Sequence, residues 1–140
     1  MGTFAGSTLD TLRRALPGLA AEASERAEEF ERARELALDF TNRLKAAGAY
    51  HVLLTSEQGG LGGTPLDWFD MTVTLAAADA STGWTCGHGA VANAFTANIA
   101  TQEFSKKVFA EPNASVAWSN LGQVEPERVD GGFRISGSWG

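Results

Sequence analysis

The sequence predicts a mostly α fold: a helical domain over residues 1–111, followed over 112–140 by the first strands of an incomplete β-domain. Three observations carry this. Up to Ala47 the chain is rich in Glu, Arg and Ala, all good helix formers, with apolar residues at helical spacing. Leu66 to Ala100 holds only three charges, Asp67, Asp70 and Asp79, with no Lys or Arg, and reads as two buried helices. Past Pro112 the pattern turns to short, Gly-broken, alternating pieces, as strands and a hairpin require.

In chain order, Met1 to Gly6 reads as a frayed terminus. Ser7 or Thr8 caps a first helix, with Asp10 at its positive end and Leu9, Leu12 and Leu16 as its stripe. Pro17-Gly18 interrupts the pattern as a kink or a new start. Leu19 to Ala47 then reads as one helix with an inner face of Ala23, Ala27, Phe30, Ala33, Leu36, Ala37, Phe40 and Leu44. Glu28–Arg32 and Asp39–Arg43 are helpful i,i+4 pairs; Glu31–Glu35 is slightly unfavourable. Arg32, Arg34 and Arg43 read as a solvated face rather than a phosphate patch. Gly48 ends the helix.

Ala49 to Thr55 reads as an extended segment entering the core, with His51 a surface or packing histidine. Ser56 to Gly63 follows, with four glycines in the five residues from Gly59. That density demands unusual φ/ψ or close backbone approach. It is no dinucleotide fingerprint, since the GxGxxG spacing is absent, and it lacks the Lys of a P-loop.

Thr64 and Pro65 open the next helix as N-cap and first helical residue. Leu66, Phe69, Val73, Ala76, Ala77 and Ala80 line one face, and Trp68, Met71 and Leu75 another. Such a helix is central rather than peripheral. Asp79 to Gly83 reads as the break, with Ser81 capping a second helix over about 82–101. Gly83, Gly87 and Gly89 imply that a helix or a ligand lies against this backbone. Trp84, His88, Val91, Phe95 and Ile99 share one face. Gln102 to Ala110 is a short helix with Phe104, Val108 and Phe109 inward, ended by Pro112-Asn113. Ser115 to Asn120 is strand-like. Val129 to Phe133 signals a hairpin turn, with Phe133, Ile135 and Trp139 on the return strand.

Composition narrows the function. The 140 residues suffice for one core, and the net charge is −6. Nine acidic and four basic residues lie from Ser56 onward, against eight and seven before it. No basic patch exists to neutralise phosphates, which argues against nucleic acid. The single Cys86 excludes an internal disulfide, fits a reducing cytoplasm, and reads as a small core residue. No signal peptide is evident over residues 1–30. Leu66 to Ala100 is long enough to span a bilayer, but Asp79 sits near its middle, where it would cost roughly 2.5–3.5 kcal/mol; we expect no membrane segment. No metal-ligating cluster stands out.

The order of these pieces carries a resemblance. Helices, a Glu-x-Gly-Gly-Leu-Gly loop, a core helix pair, and then strands bearing WS (Trp118-Ser119) and DGGFRISGSW resemble the acyl-CoA dehydrogenase fold. The resemblance runs from about Leu9 to the end and covers the first third of a family-length chain. True acyl-CoA dehydrogenases carry a T-E-P-x-x-G-S-D-like string where this chain reads SNLGQVEPERVDGGF (Ser119 to Phe133). STGW at Ser81 to Trp84 and the compact VDGGFRISGSW are instead similar to the flavin-dependent monooxygenases of the fold.

That resemblance implies the N-terminal part of an enzyme using reduced flavin (FMN or FAD) and O2 to hydroxylate an aromatic or related small substrate. It also implies a separate flavin reductase and a homo-oligomer at full length. By the same resemblance Trp118 and Ser119 line the flavin ring, His88 is the candidate catalytic residue, and Trp84 and Gly87 border the substrate pocket. Some monooxygenases of the fold carry a histidine on this helix nearer Ala92 or Asn93. The family's catalytic base lies in a C-terminal domain outside these residues, so the chain alone is expected to be inactive and to bind flavin weakly or not at all. Two alternatives stand beside this reading: an FAD-dependent acyl-CoA dehydrogenase, and a truncated, non-catalytic helical module that packs on a partner.

Overall fold

The computed structural model describes residues 7–111, 114–118 and 124–138. Its helices are α1 (Leu9–Glu25), α2 (Ala27–Ala33), α3 (Leu38–Ala46), α4 (Pro65–Ala78), α5 (Ala80–Ile99) and α6 (Gln102–Phe109). Two 3-10 turns, Ala49–His51 and Ser56–Gln58, lie between α3 and α4. A hairpin of β1 (Glu127–Val129) and β2 (Gly132–Arg134) follows. The expectations for Met1 to Gly6, Pro112-Asn113 and Trp139 fall outside the described residues.

Thr8 caps α1, its Oγ1 accepting from the Thr11 amide at 3.2 Å. The expected interruption at Pro17-Gly18 does not occur; α1 runs through both. Both residues face solvent, while Leu12, Leu16, Leu19 and Ala23 stay buried along one stripe. Keeping that stripe in register outweighs the backbone bond that proline removes.

The single helix expected over 19–47 is three helices instead. It breaks at Arg26 and again at Arg34, which takes the left-handed conformation at φ 59°. Tertiary packing explains the break. Phe30 stacks on Phe40 with ring centroids 5.2 Å apart, whereas ten residues of continuous helix would separate them by about 15 Å. The same fold-back brings Arg26 to Asp39 at 3.0 Å and Arg43 onto Glu22. The pairs Glu28–Arg32 and Asp39–Arg43 form as expected, at 3.8 and 3.0 Å.

Residues 49–55 are not extended. Gly48, at φ 83°, turns the chain into the 3-10 turn, and the Leu54 amide donates back to the His51 carbonyl at 3.2 Å. Tyr50, His51, Val52 and Leu54 are all buried. The glycine loop supplies this wound segment with backbone partners. The amides of Leu61, Gly62 and Gly63 donate to the carbonyls of His51, Leu54 and Val52 at 3.1, 2.8 and 2.8 Å. Within that loop Gly59 and Gly62 take positive φ, while Gly60 and Gly63 lie so close to Leu54 and Val52 that a Cβ would collide.

α4 starts as the sequence predicts: Thr64 and Asp67 form a capping box behind Pro65. Asp67 also takes an ion pair from Arg13 of α1 at 2.7 Å. Its bonds to Thr64, then to Arg13, hold its carboxyl at about 2. The break before α5 is one residue, Asp79, whose Oδ2 accepts from the Thr82 amide at 2.6 Å. Asp79 is therefore the cap, and Ser81 is its auxiliary, donating to the same oxygen at 2.7 Å. A carboxylate satisfies the open amides and complements the helix dipole better than a hydroxyl.

The core comprises Leu12, Leu16, Leu19, Ala23, Phe30, Phe40, Leu44, Met71, Leu75 and Cys86 with their neighbours. Burial pushes the Cys86 thiol up to about 12, so it behaves as a core residue. α4 and α5 are buried on their inner sides only. The outer side chains of α4 (Leu66, Phe69 and Val73) reach solvent. In α6, Ser105 and Phe109 point inward, but Phe104 is half exposed, against expectation.

Residues 114–118 form no strand: the Ala114 amide turns back to the Glu111 carbonyl at 3.0 Å, while the Ala114 carbonyl and the Val116 amide bond to side chains of the helical domain, as described below. The hairpin forms as expected, pairing Glu127 with Arg134, Arg128 with Phe133 and Val129 with Gly132 around Gly131 at φ 79°. Among the described residues no helix is long and apolar enough to cross a membrane, and no cluster of three metal-ligating side chains occurs.

Candidate functional site: an aromatic face on α5

α5 is unusually rich in small residues, and they decide which way it faces. A Cβ on Gly83 would lie 2.4 Å from Ala76 Cβ and 2.5 Å from that residue's backbone. A Cβ on Gly87 would lie 2.7 Å from Thr72 Oγ1. Trp68 reaches across to donate its indole N–H to the Gly87 carbonyl at 2.9 Å. What lies against these glycines is thus α4, and against Gly89 it is the Tyr50 ring, 2.7 Å from a Cβ there.

With the glycine side seated on α4, the large side chains of α5 turn outward. Trp84 is 71% exposed and stacks on His88, with centroids 5.4 Å apart and planes 9° apart. Phe95, 51% exposed, lies on the same helix two turns on. Trp118 crosses from the C-terminal segment to meet both. Its ring stands edge-on to Phe95 at 4.5 Å and to His88 at 6.2 Å. Edge-to-face contacts at such spacing are favourable for aromatic quadrupoles. Four rings from two segments distant in sequence therefore make one open aromatic face with a single titratable group, His88.

Two buried polar side chains hold Trp118's segment there. His51, 1% exposed, donates from Nε2 to the Ala114 carbonyl at 2.8 Å. Burial lowers its pKa from 6.5, although the carbonyls of Ala114 and Gly59 favour its protonated form. Asn93 is fully buried on α5. Its Nδ2 donates to the Tyr50 carbonyl at 2.9 Å and its Oδ1 accepts from the Val116 amide at 2.8 Å.

Of the residues singled out in the sequence, Trp84, His88 and Trp118 come together. Gly87 lies on the opposite side of α5, against α4, and Ser119 is outside the described residues. The parts that sequence reasoning missed are Asn93 and the bonded role of His51. The available signal was an Asn, a poor helix former, in the middle of an Ala- and Gly-rich helix. A cavity of about 510 Å³ lies elsewhere, between α2 and the start of α5, lined by Phe30, Arg34, Leu36, Asp79 and Ser81 among others.

A family model described as acyl-CoA dehydrogenase, N-terminal domain, matches residues 8–112. Indole-3-acetate monooxygenase of Pseudomonas putida is 29% identical over 111 residues, which are 79% of this chain and 28% of that protein. The FADH(2)-dependent resorcinol hydroxylase, oxygenase component, of a Rhizobium species is 30% identical over 114 residues, 81% of this chain and 28% of that one. The flavin-dependent monooxygenase, oxygenase subunit HsaA, of Mycobacterium tuberculosis is 30% identical over 126 residues, 89% of this chain and 32% of that one. The chain thus spans about three-tenths of the length of the curated relatives it matches.

Proposed function

Because the chain belongs to the acyl-CoA dehydrogenase N-terminal domain family, we propose that it forms the helical wall of a flavin and substrate site in a flavin-dependent monooxygenase. The reaction is hydroxylation of an aromatic or related small organic substrate with reduced flavin and O2. The observation that carries this is the open face of Trp84, His88, Phe95 and Trp118. Exposed aromatics grouped on one face mark a surface made to be covered. Aromatic side chains pack favourably, stacked or edge-on, against a flat conjugated ring system, which the isoalloxazine and an aromatic substrate both offer. The names of the relatives support the same class of chemistry.

On this reading Trp118 lies along the flavin ring and Trp84 borders the substrate. His88, the one group on the face that can move a proton, orients a polar substituent of the substrate. Gly87 contributes by seating α5 on α4 rather than by touching ligand. Ser119, next to Trp118, is proposed to hydrogen-bond flavin or substrate. Bound reduced flavin, FMN or FAD, would supply the electrons and the activation of O2; the residues of this chain bind, orient and exclude water. We assign residues 1–111 to the helical wall and 112–140 to the start of a β-domain. The remaining walls, and association into a homo-oligomer, belong to the full-length protein. Two of the relatives are named as an oxygenase component or subunit, which supports delivery of reduced flavin by a separate reductase.

The test has two arms. In the full-length protein labelled with fluorotryptophan, FMN or FAD is expected to shift the fluorine resonances of Trp84 and Trp118 and to leave that of Trp68, which faces Gly87, in place. No shift at either indole overturns the assignment of the face. For the full-length protein, reduced flavin, O2 and a panel of phenols and indoles should yield hydroxylated product. Bleaching of bound FAD by acyl-CoA without any such product would refute hydroxylation in favour of dehydrogenation.

A further inference from the structure

The connection between the helical domain and Trp118 is made in an unusual way. Residues 114–118 belong to no helix or strand. Their backbone is instead held by two buried side chains that come from different elements. His51, from the turn after α3, binds the Ala114 carbonyl at 2.8 Å, and Asn93, from the middle of α5, binds the Val116 amide at 2.8 Å. Asn93 uses its other end on the Tyr50 carbonyl, the residue next to His51, at 2.9 Å. The turn, the helix and the crossing segment are therefore closed into one loop of hydrogen bonds. Gly89, one turn before Asn93, leaves the room that the Tyr50 ring occupies, and a Cβ there would also stand 3.9 Å from Ser115 Oγ.

We infer that His51 and Asn93 are positioning residues: they latch residues 114–116 to the helices and thereby fix Trp118 in the aromatic face. Geometry makes this a strong constraint. Trp118 is two residues beyond Val116, a reach of at most about 7 Å. Asn93 lies on the same rigid helix as His88 and Phe95, the two rings that Trp118 meets. The anchor and the target of Trp118 thus share one frame. Neither latch residue touches a ligand; both act through Trp118.

The inference rests on the proposed function only for its effect on ligand, and the experiment separates the two. In the parent chain the Val116 amide is expected to exchange slowly with solvent although it lies outside regular structure. In Asn93→Ala that protection should vanish. The ring-current shifts of Trp118 should relax toward open-chain values, with far-UV helicity and the Trp68 indole resonance retained. If Asn93→Ala fails to fold, His51→Leu, which keeps volume but removes the donor to Ala114, should displace Trp118. His51→Gln, which can still donate there, should restore it. In the full-length protein, flavin affinity in Asn93→Ala should fall by the same factor as in Trp118→Ala, and the double variant should lose no more, a non-additivity that simple loss of stability does not produce. Trp118 shifts unchanged in both Asn93→Ala and His51→Leu would overturn the latch. Displacement of Trp118 in these variants, with no flavin response at Trp84 or Trp118 in the full-length parent, would uphold the latch while removing the flavin reading.

Discussion

Replacing Gly83 by alanine should destabilise this protein, although the same change elsewhere in its helices should stabilise it. Alanine is favoured over glycine in a helix interior by up to about 1 kcal/mol. At Gly18 in α1 a Cβ would meet nothing within 4 Å, so Gly18→Ala should gain most of that. At Gly83 the new Cβ would stand 2.4 Å from Ala76 Cβ and 2.5 Å from Ala76 Cα and N. Apolar contacts settle near 3.5–4.0 Å, so α4 and α5 would have to part by roughly 1 Å. The atoms struck are Ala76 Cβ, Cα and N, which no rotamer change can move. Overpacking of this kind costs about 1–3 kcal/mol. Taking the upper part of that range against the propensity gain leaves a net loss of about 2 kcal/mol. In urea, with a slope near 2 kcal/mol per M, the midpoint should fall by about 1 M for Gly83→Ala and rise by about 0.5 M for Gly18→Ala. A Gly83→Ala midpoint at or above that of the parent, with unchanged slope, would refute the close helix contact and with it the outward orientation of Trp84 and His88.

Two further predictions concern the cap and the buried histidine. Asp79→Ala should cost about 1 kcal/mol, the usual loss for an N-cap, whereas Ser81→Ala should cost much less; equal losses in thermal unfolding would count against Asp79 as the cap. Stability should also decline as pH falls through 6.5, the ordinary value for His51. The unfolded chain then takes a proton that the buried ring, its pKa lowered by burial, resists, so stability is lost until pH reaches the lowered folded value and then levels. Asp67 and Asp39 are held at about 2, so their contribution is lost only below 3.8. Urea midpoints between pH 7 and 5 should therefore slope in the parent and flatten in His51→Gln; an identical slope in both would exclude His51 as its source.

What the sequence made legible was local. Thr64-Pro65 announced α4 because capping chemistry is contained in four consecutive residues. Asp130-Gly131 announced the hairpin for the same reason, and the glycine loop announced its tight backbone. Helical spacing also grouped Trp84, His88, Val91, Phe95 and Ile99 correctly on one face. It could not say whether that face points to the core or to solvent, since periodicity reports shared direction and not what covers it. The breaks at Arg26 and Arg34 were hidden because every residue there favours helix; only the meeting of Phe30 with Phe40 forces the fold-back. His51 and Asn93 were opaque as a pair, because their bonds join segments dozens of residues apart.

The glycine loop carries no phosphate-binding signature, yet it bears on the aromatic face of α5. The His51 carbonyl accepts from Leu61 in that loop, while the His51 ring holds Ala114. A bulky residue at Gly60 would press on Leu54, three positions from His51, and the displacement would pass through the imidazole to the segment bearing Trp118. Loop, turn and crossing segment thus form one unit of variation. A change accepted in one of them sets which changes the others tolerate, so a loop between α3 and α4 can retune how the Trp118 ring is presented against α5.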